Sequence, residues 1–213
     1  GDIMHQDSGG HESVIESGGI QRMTAGQGLI HSEVSSSKFK KEGGDLEILQ
    51  LWIKLPAKLK MTEPRYVGLQ KEEINHFELS EGKVSVQMIA GDWDGNQGSF
   101  ETLSPMFLST ITIAKGGKFN KSIPVGENVF FYIVRGEVKI LSEKIPFRNL
   151  VEFTNDGGNL SVEASDDAVL ILGHAKPFNE PMVAQGPFVM NTQQEIMEAY
   201  RDYQQGKFGT WKH

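Results

Sequence analysis

Short apolar runs with a two-residue alternation recur along nearly the whole chain, with Gly, Asn, Asp or Pro between them, which predicts many short β-strands. In the first part these are the entry strand around Ile3 to His5, then 12–15 and 20–23, then a short strand that ends in His31, Ser32 and Glu33. The run 46–55 carries the strongest signal there. Leu49, Leu51, Ile53 and Leu55 fall on one face and Ile48, Gln50 and Trp52 on the other, the pattern of a central strand covered on both sides. Residues 35–44, rich in Ser, Lys and Gly, read as a mobile connection, and 56–66 as an irregular crossover around the outside of a barrel.

The later part predicts strands over 74–79, 84–90, 106–113, 129–134, 137–141, 150–153, 160–162 and 168–172, a spacing that implies an all-β sandwich or barrel. One helix breaks the pattern. Thr192-Gln193-Gln194-Glu195 forms a capping box, Ile196, Ala199, Tyr200 and Tyr203 recur at helical spacing, and Gly206 is placed to end it, so a helix over 192–205 closes the chain. Gly91 to Gly98 (GDWDGNQG) lacks EF-hand spacing and its closing glutamate, and is read as a turn.

The candidate chemistry sits after a glycine-rich turn, Thr24-Ala25-Gly26-Gln27-Gly28. His31 and Glu33 are two apart on a strand, so they share a face on which an imidazole nitrogen and a carboxylate oxygen can approach one ion. On these residues alone, a solvated polar face is the competing reading. His5 and His11 are expected at the surface, His76 and His174 as structural or exposed residues, and His213 in a frayed tail.

Composition narrows the options. With no cysteine among 213 residues, thiolate ligands, disulfides and a cysteine nucleophile are excluded, so any metal must be held by imidazole, carboxylate or water. A formal net charge of −7 argues against direct nucleic-acid binding, and the short basic cluster Lys38 to Lys41 is read as a solvated loop. No apolar run approaches a membrane span and no leader-like segment opens the sequence, which reads as cytoplasmic. Gly1-Asp2 looks like the second half of a hairpin such as 129–141, so a strand is expected to precede Gly1.

Three ordered stretches, IQRMTAGQGLIHSE (20–33), LQLWIKLPAKLKMTEPRY (49–66) and the tail PFNEPMVAQGPFVMNTQQEIMEAYRDYQQGKFG (177–209), resemble the pirin family. The resemblance implies two cupin-like β-barrels, a bicupin: 1–58 as the remainder of an N-terminal barrel, and 59–213 as a second barrel with the closing helix. It implies a metal only in the first barrel, Fe(II) or another divalent ion, held by His31, Glu33 and two histidines of an upstream HPH-type motif. With His31 and Glu33 as its only protein ligands, such a site is expected to bind metal weakly or not at all. The corresponding stretch of the second barrel, Lys121 to Asn128, has one carboxylate and no histidine, and no metal is expected there. Arg22 stands where the family usually carries an aromatic residue.

Two functions follow from the resemblance. One is a quercetin 2,3-dioxygenase-type oxidoreductase acting on a flavonol-like molecule and dioxygen, with Glu33 as ligand and base and Gln50 and Trp52 as wall residues, an activity expected of the intact form and expected to be impaired in a chain without the upstream histidines. The other is a regulatory module that works through a protein partner.

Overall fold

The computed structural model describes residues 1–210, so His213 lies outside the described residues. Most elements are antiparallel strands, and the chain divides into two compact units, 1–73 with the tail from 179 onward, and 74–178. Residues 59–73 and the tail thus group with the first unit, whereas the sequence boundary fell after residue 58. The tail is tied there by polar contacts: Ala57 N–H donates to Glu180 Oε2 at 2.8 Å, and the buried Lys60 donates to the Val189 carbonyl at 3.1 Å.

In the first unit β1 (Ile3–Asp7) pairs on one side with β2 (Glu12–Ile15) and on the other with β4 (His31–Val34). β3 (Ile20–Thr24) pairs with β5 (Arg65–Leu69). Between β3 and β4 the glycine-rich turn is fixed by its backbone. Gly26 has a φ of 55°, and a side chain there would meet the Thr62 carbonyl oxygen at 2.0 Å.

Three expectations about local structure fail in this unit. The connection 35–44 contains a six-residue helix, α1 (Ser37–Glu42), started by the Ser36 hydroxyl accepting the Phe39 N–H at 3.0 Å. The crossover 56–66 ends in β5, a ladder strand that carries Tyr66. The run 46–55 forms no strand. Its apolar side chains up to Ile53 are exposed, Ile48 at 52% and Trp52 at 61%, because alternation expresses a tendency to be covered and supplies no partner strand.

The second unit contains β6 (His76–Leu79), β7 (Val84–Ala90), the small hairpin of β8 (Asp92–Trp93) and β9 (Asn96–Gln97), β10 (Phe107–Ile113), β11 (Lys118–Ile123), β12 (Asn128–Arg135), β13 (Glu137–Ile140), β14 (Glu143–Pro146), β15 (Leu150–Val151), β16 (Gly158–Ala164) and β17 (Ala168–Ala175). A six-stranded sheet ordered β15-β12-β17-β10-β7-β6 faces a four-stranded sheet ordered β11-β16-β13-β14. Alternate residues of both sheets point inward: Val84, Val86 and Met88 from β7 and Leu170 and Leu172 from β17 meet Phe119, Val138, Ile140 and Val162 from the other sheet. The tail adds β18 (Val183–Gln185), β19 (Phe188–Met190) and α2 (Gln193–Gln204). Both reciprocal bonds of the Thr192 capping box are formed, and Ile196 is fully buried. No helix among the described residues is long and apolar enough to cross a membrane.

Candidate metal centre

The register between β1 and β4 builds the site. His5 lies opposite Glu33 and Asp7 opposite His31, and because opposed residues of an antiparallel pair share a face, the four side chains form a square on one side of the ladder. β2 places Ser13 opposite His5 on the same face. Ligand atoms of His5, His31 and Glu33 lie within 4.8 Å of one another, and this is the single such cluster of His, Asp and Glu donors among the described residues. His5 Nδ1 and His31 Nδ1 are each 3.9 Å from Glu33 Oε1.

The placement of His5 corrects the expectation that it lies at the surface: it is fully buried. Its Nε2 is 3.0 Å from Asp7 Oδ2, so the N–H sits on Nε2 and donates to the carboxylate. Nδ1 is then a bare lone pair, buried and without a hydrogen-bond partner. An orphaned buried acceptor beside a histidine and a carboxylate is what a divalent cation would satisfy, so the residues present fit a metal. His31 and Glu33 keep side-chain exposures of 32% and 25%, which leaves the cluster open to solvent on their side.

A shell of polar and aromatic groups fixes these donors. Tyr66 stacks on His5 with ring centres 4.0 Å apart and planes 10° apart, and its hydroxyl donates to Gln21 Oε1 at 2.9 Å. Burial pushes the Tyr66 hydroxyl above the usual tyrosine value; the Ser13 hydrogen bond opposes this, and the Glu33 and Asp7 charges reinforce it. Gln21 donates from Nε2 to Glu33 Oε1. Asp7 also accepts the His11 backbone N–H at 3.0 Å and contacts the His11 ring at 3.1 Å. Burial alone would raise the Asp7 carboxyl, but the bonds from His5 and His11 outweigh it and hold the group below its ordinary value.

Of the residues singled out in the sequence, His31 and Glu33 lie side by side, 3.9 Å apart at their nearest polar atoms. Gln50 reaches Glu33 Oε2 by a long contact of 3.5 Å, while Trp52 is 61% exposed. His11 has a half-exposed ring, in line with its expected place. The residues missed were His5, Asp7, Gln21 and Tyr66. For the first two a signal existed: His5-Gln6-Asp7 has the same i, i+2 spacing as His31-Ser32-Glu33.

Comparison with known proteins agrees with this architecture. The Pirin family profile matches residues 1–53, and that of the Pirin C-terminal cupin domain matches residues 108–209. A pirin-like protein from Solanum lycopersicum is 39% identical over 213 residues, spanning 98% of this chain and 71% of that protein. A crystal structure of quercetin 2,3-dioxygenase from Acinetobacter baumannii is 34% identical and superposes with a TM-score of 0.94 over 99% of this chain and 73% of its own. A bacterial pirin from Escherichia coli in complex with nickel(II), 23% identical with a TM-score of 0.62 over 83% of this chain and 69% of its own, is alike in fold. With the ladder register, the two facing sheets and these matches in hand, the chain belongs to the pirin family, a family of bicupins.

Proposed function

We propose that the first unit holds one divalent metal ion through His31 and Glu33, with His5 Nδ1 as the third donor within reach, and that the intact site carries out a quercetin 2,3-dioxygenase-type oxidation of a flavonol-like substrate. The orphaned Nδ1 of a fully buried histidine, aimed at the same few ångströms as His31 and Glu33, carries this reading. The identity of the A. baumannii relative supplies the reaction class.

When bound, the ion, Fe(II) or a similar one, would supply Lewis acidity that lowers the pKa of a coordinated substrate hydroxyl. The remaining steps belong to the chain. Glu33 takes the flavonol hydroxyl proton on a carboxylate oxygen, and Gln21 and Gln50 hold its two oxygens in place. Asp7 keeps the His5 proton on Nε2 so that Nδ1 stays available. Tyr66 covers His5 and excludes water from that side.

The test adds Fe(II) and quercetin to the protein under air and follows loss of the flavonol absorbance, with and without Glu33→Ala. Consumption that depends on Glu33 supports the assignment. Consumption unchanged by the substitution, or none in the presence of bound metal, removes it.

A further inference from the structure

A second cluster of polar groups, one buried lysine and two partly buried side chains, lies in the second unit. β11 alternates exposed and buried residues, and its inward row reads Phe119, Lys121, Ile123, so a lysine occupies a core position of the strand. Lys121 is 9% exposed, and among the described residues its ammonium has no ion pair or hydrogen bond. Its Nζ instead lies 4.7 Å from the ring centre of Phe107 and 5.2 Å from that of Trp93. On β17, His174 is the register partner of Phe107 and stacks on its ring at 4.8 Å. The His174 Nδ1–H donates to Glu127 Oε2 at 2.5 Å, and its Nε2 is buried without a partner.

These groups are mutually incomplete. Aromatic faces return only part of what an ammonium loses on leaving water. A neutral imidazole that donates from Nδ1 offers a lone pair at Nε2, and leaving it unmet carries its own desolvation penalty. Burial is the leading cause that holds both Lys121 and His174 below their usual ranges, against the pull of the acidic groups nearby. The cluster is not sealed, since the His174 and Glu127 side chains keep exposures of 9% and 15%.

We propose that this cluster binds a small hydroxycarboxylate, whose carboxylate pairs with Lys121 Nζ and whose hydroxyl donates to His174 Nε2. The ligand supplies the anion that the lysine lacks and the donor that the histidine lacks. Glu127 is a positioning residue, because it keeps the His174 proton on Nδ1 and so leaves Nε2 to accept. Neither the metal site nor its chemistry is required.

The experiment titrates glycolate into the full chain labelled with ¹⁵N and follows the His174 ring nitrogens and the Lys121 Nζ by NMR. Glycolate should shift both signals saturably, and acetate, which has the carboxylate without the hydroxyl, should bind more weakly by about threefold or more. Lys121→Met should weaken glycolate binding at least about tenfold. In the absence of ligand it should also raise the thermal midpoint of the second unit, because it replaces an under-compensated buried charge with an apolar chain of similar length. Glycolate that leaves both wild-type signals unmoved overturns the proposal, as does equal affinity in wild type and Lys121→Met or equal affinity for acetate and glycolate. A lowered midpoint in Lys121→Met would instead assign the lysine to packing. The wild-type titration decides the question even if the variant fails to fold.

Discussion

Replacing Asp7 with asparagine probes the candidate centre without touching a metal donor. In the native arrangement Asp7 Oδ1 accepts the His11 backbone N–H at 3.0 Å and Oδ2 accepts from His5 Nε2 at 3.0 Å. An asparagine supplies one oxygen and one NH₂, so in either orientation one of those positions sets donor against donor. The His11 N–H is backbone and cannot yield, whereas the imidazole of His5 can move its proton from Nε2 to Nδ1. The amide therefore settles with its oxygen on His11, and His5 changes tautomer. That costs the site a lone pair. Losing the hydrogen bond that orients a ligating imidazole lowers metal affinity about 10–100-fold, which is ~1.4–2.7 kcal/mol. Stability should fall by a further ~1–2 kcal/mol as charge-assisted bonds become neutral ones. Titration of the full chain with nickel(II), alongside ¹⁵N NMR of the His5 ring, reads both effects. Affinity within about twofold of wild type, or a wild-type His5 that already carries its proton on Nδ1, would refute the reasoning.

Other consequences follow from single features. Because the folded Asp7 carboxyl is held below its ordinary value of 3.8, its contribution to stability is complete above that value and is lost as pH falls through the lower folded value. Urea unfolding of wild type should accordingly steepen with acid below about pH 4, and Asp7→Asn should flatten that part of the profile. At Gly136, with φ of 76°, an added Cβ would lie 2.0 Å from the Asp167 carbonyl oxygen, while Gly126, with φ of 80°, has nothing within 4 Å. Gly126→Ala should cost ~1–2 kcal/mol for the left-handed backbone alone, and Gly136→Ala clearly more, as read by thermal unfolding of the second unit. Thr192→Ala removes the hydroxyl that accepts the Glu195 N–H and should destabilise α2 by ~0.5–2 kcal/mol, seen as faster amide exchange in its first turn.

Much of the second unit could be read from its residues, because each strand there is covered on one face and its alternation reports that directly. β7 is the plainest case: its burial alternates without a break from Val84 to Ala90. β11 was missed because Lys121 stands in the inward row and breaks the apolar pattern, and that same break marks the cluster proposed as a ligand site. The first unit was harder. The alternation of 46–55 is genuine, but burial also needs a neighbour, which a local pattern cannot name. α1 has no buried residue and so no apolar stripe to reveal it.

The candidate metal centre was half legible for a related reason. His31 and Glu33 follow from spacing within one strand, whereas His5 enters through the register of β1 against β4, a non-local pairing. A histidine also defaults to the surface in sequence reasoning, and only its carboxylate partner two residues on makes a buried place tolerable. Tyr66 was hidden by Pro64, which made its segment look irregular although the ladder of β5 begins at the next residue.

The central claim is that His5, His31 and Glu33 together hold one ion. The direct measurement is the stoichiometry of nickel(II) taken up by the purified chain, set against His31→Ala, Glu33→Ala and His5→Ala. One ion per chain, bound markedly more weakly by each variant, is the predicted result. No uptake by the wild type, or uptake unaffected by loss of any of the three side chains, would contradict it.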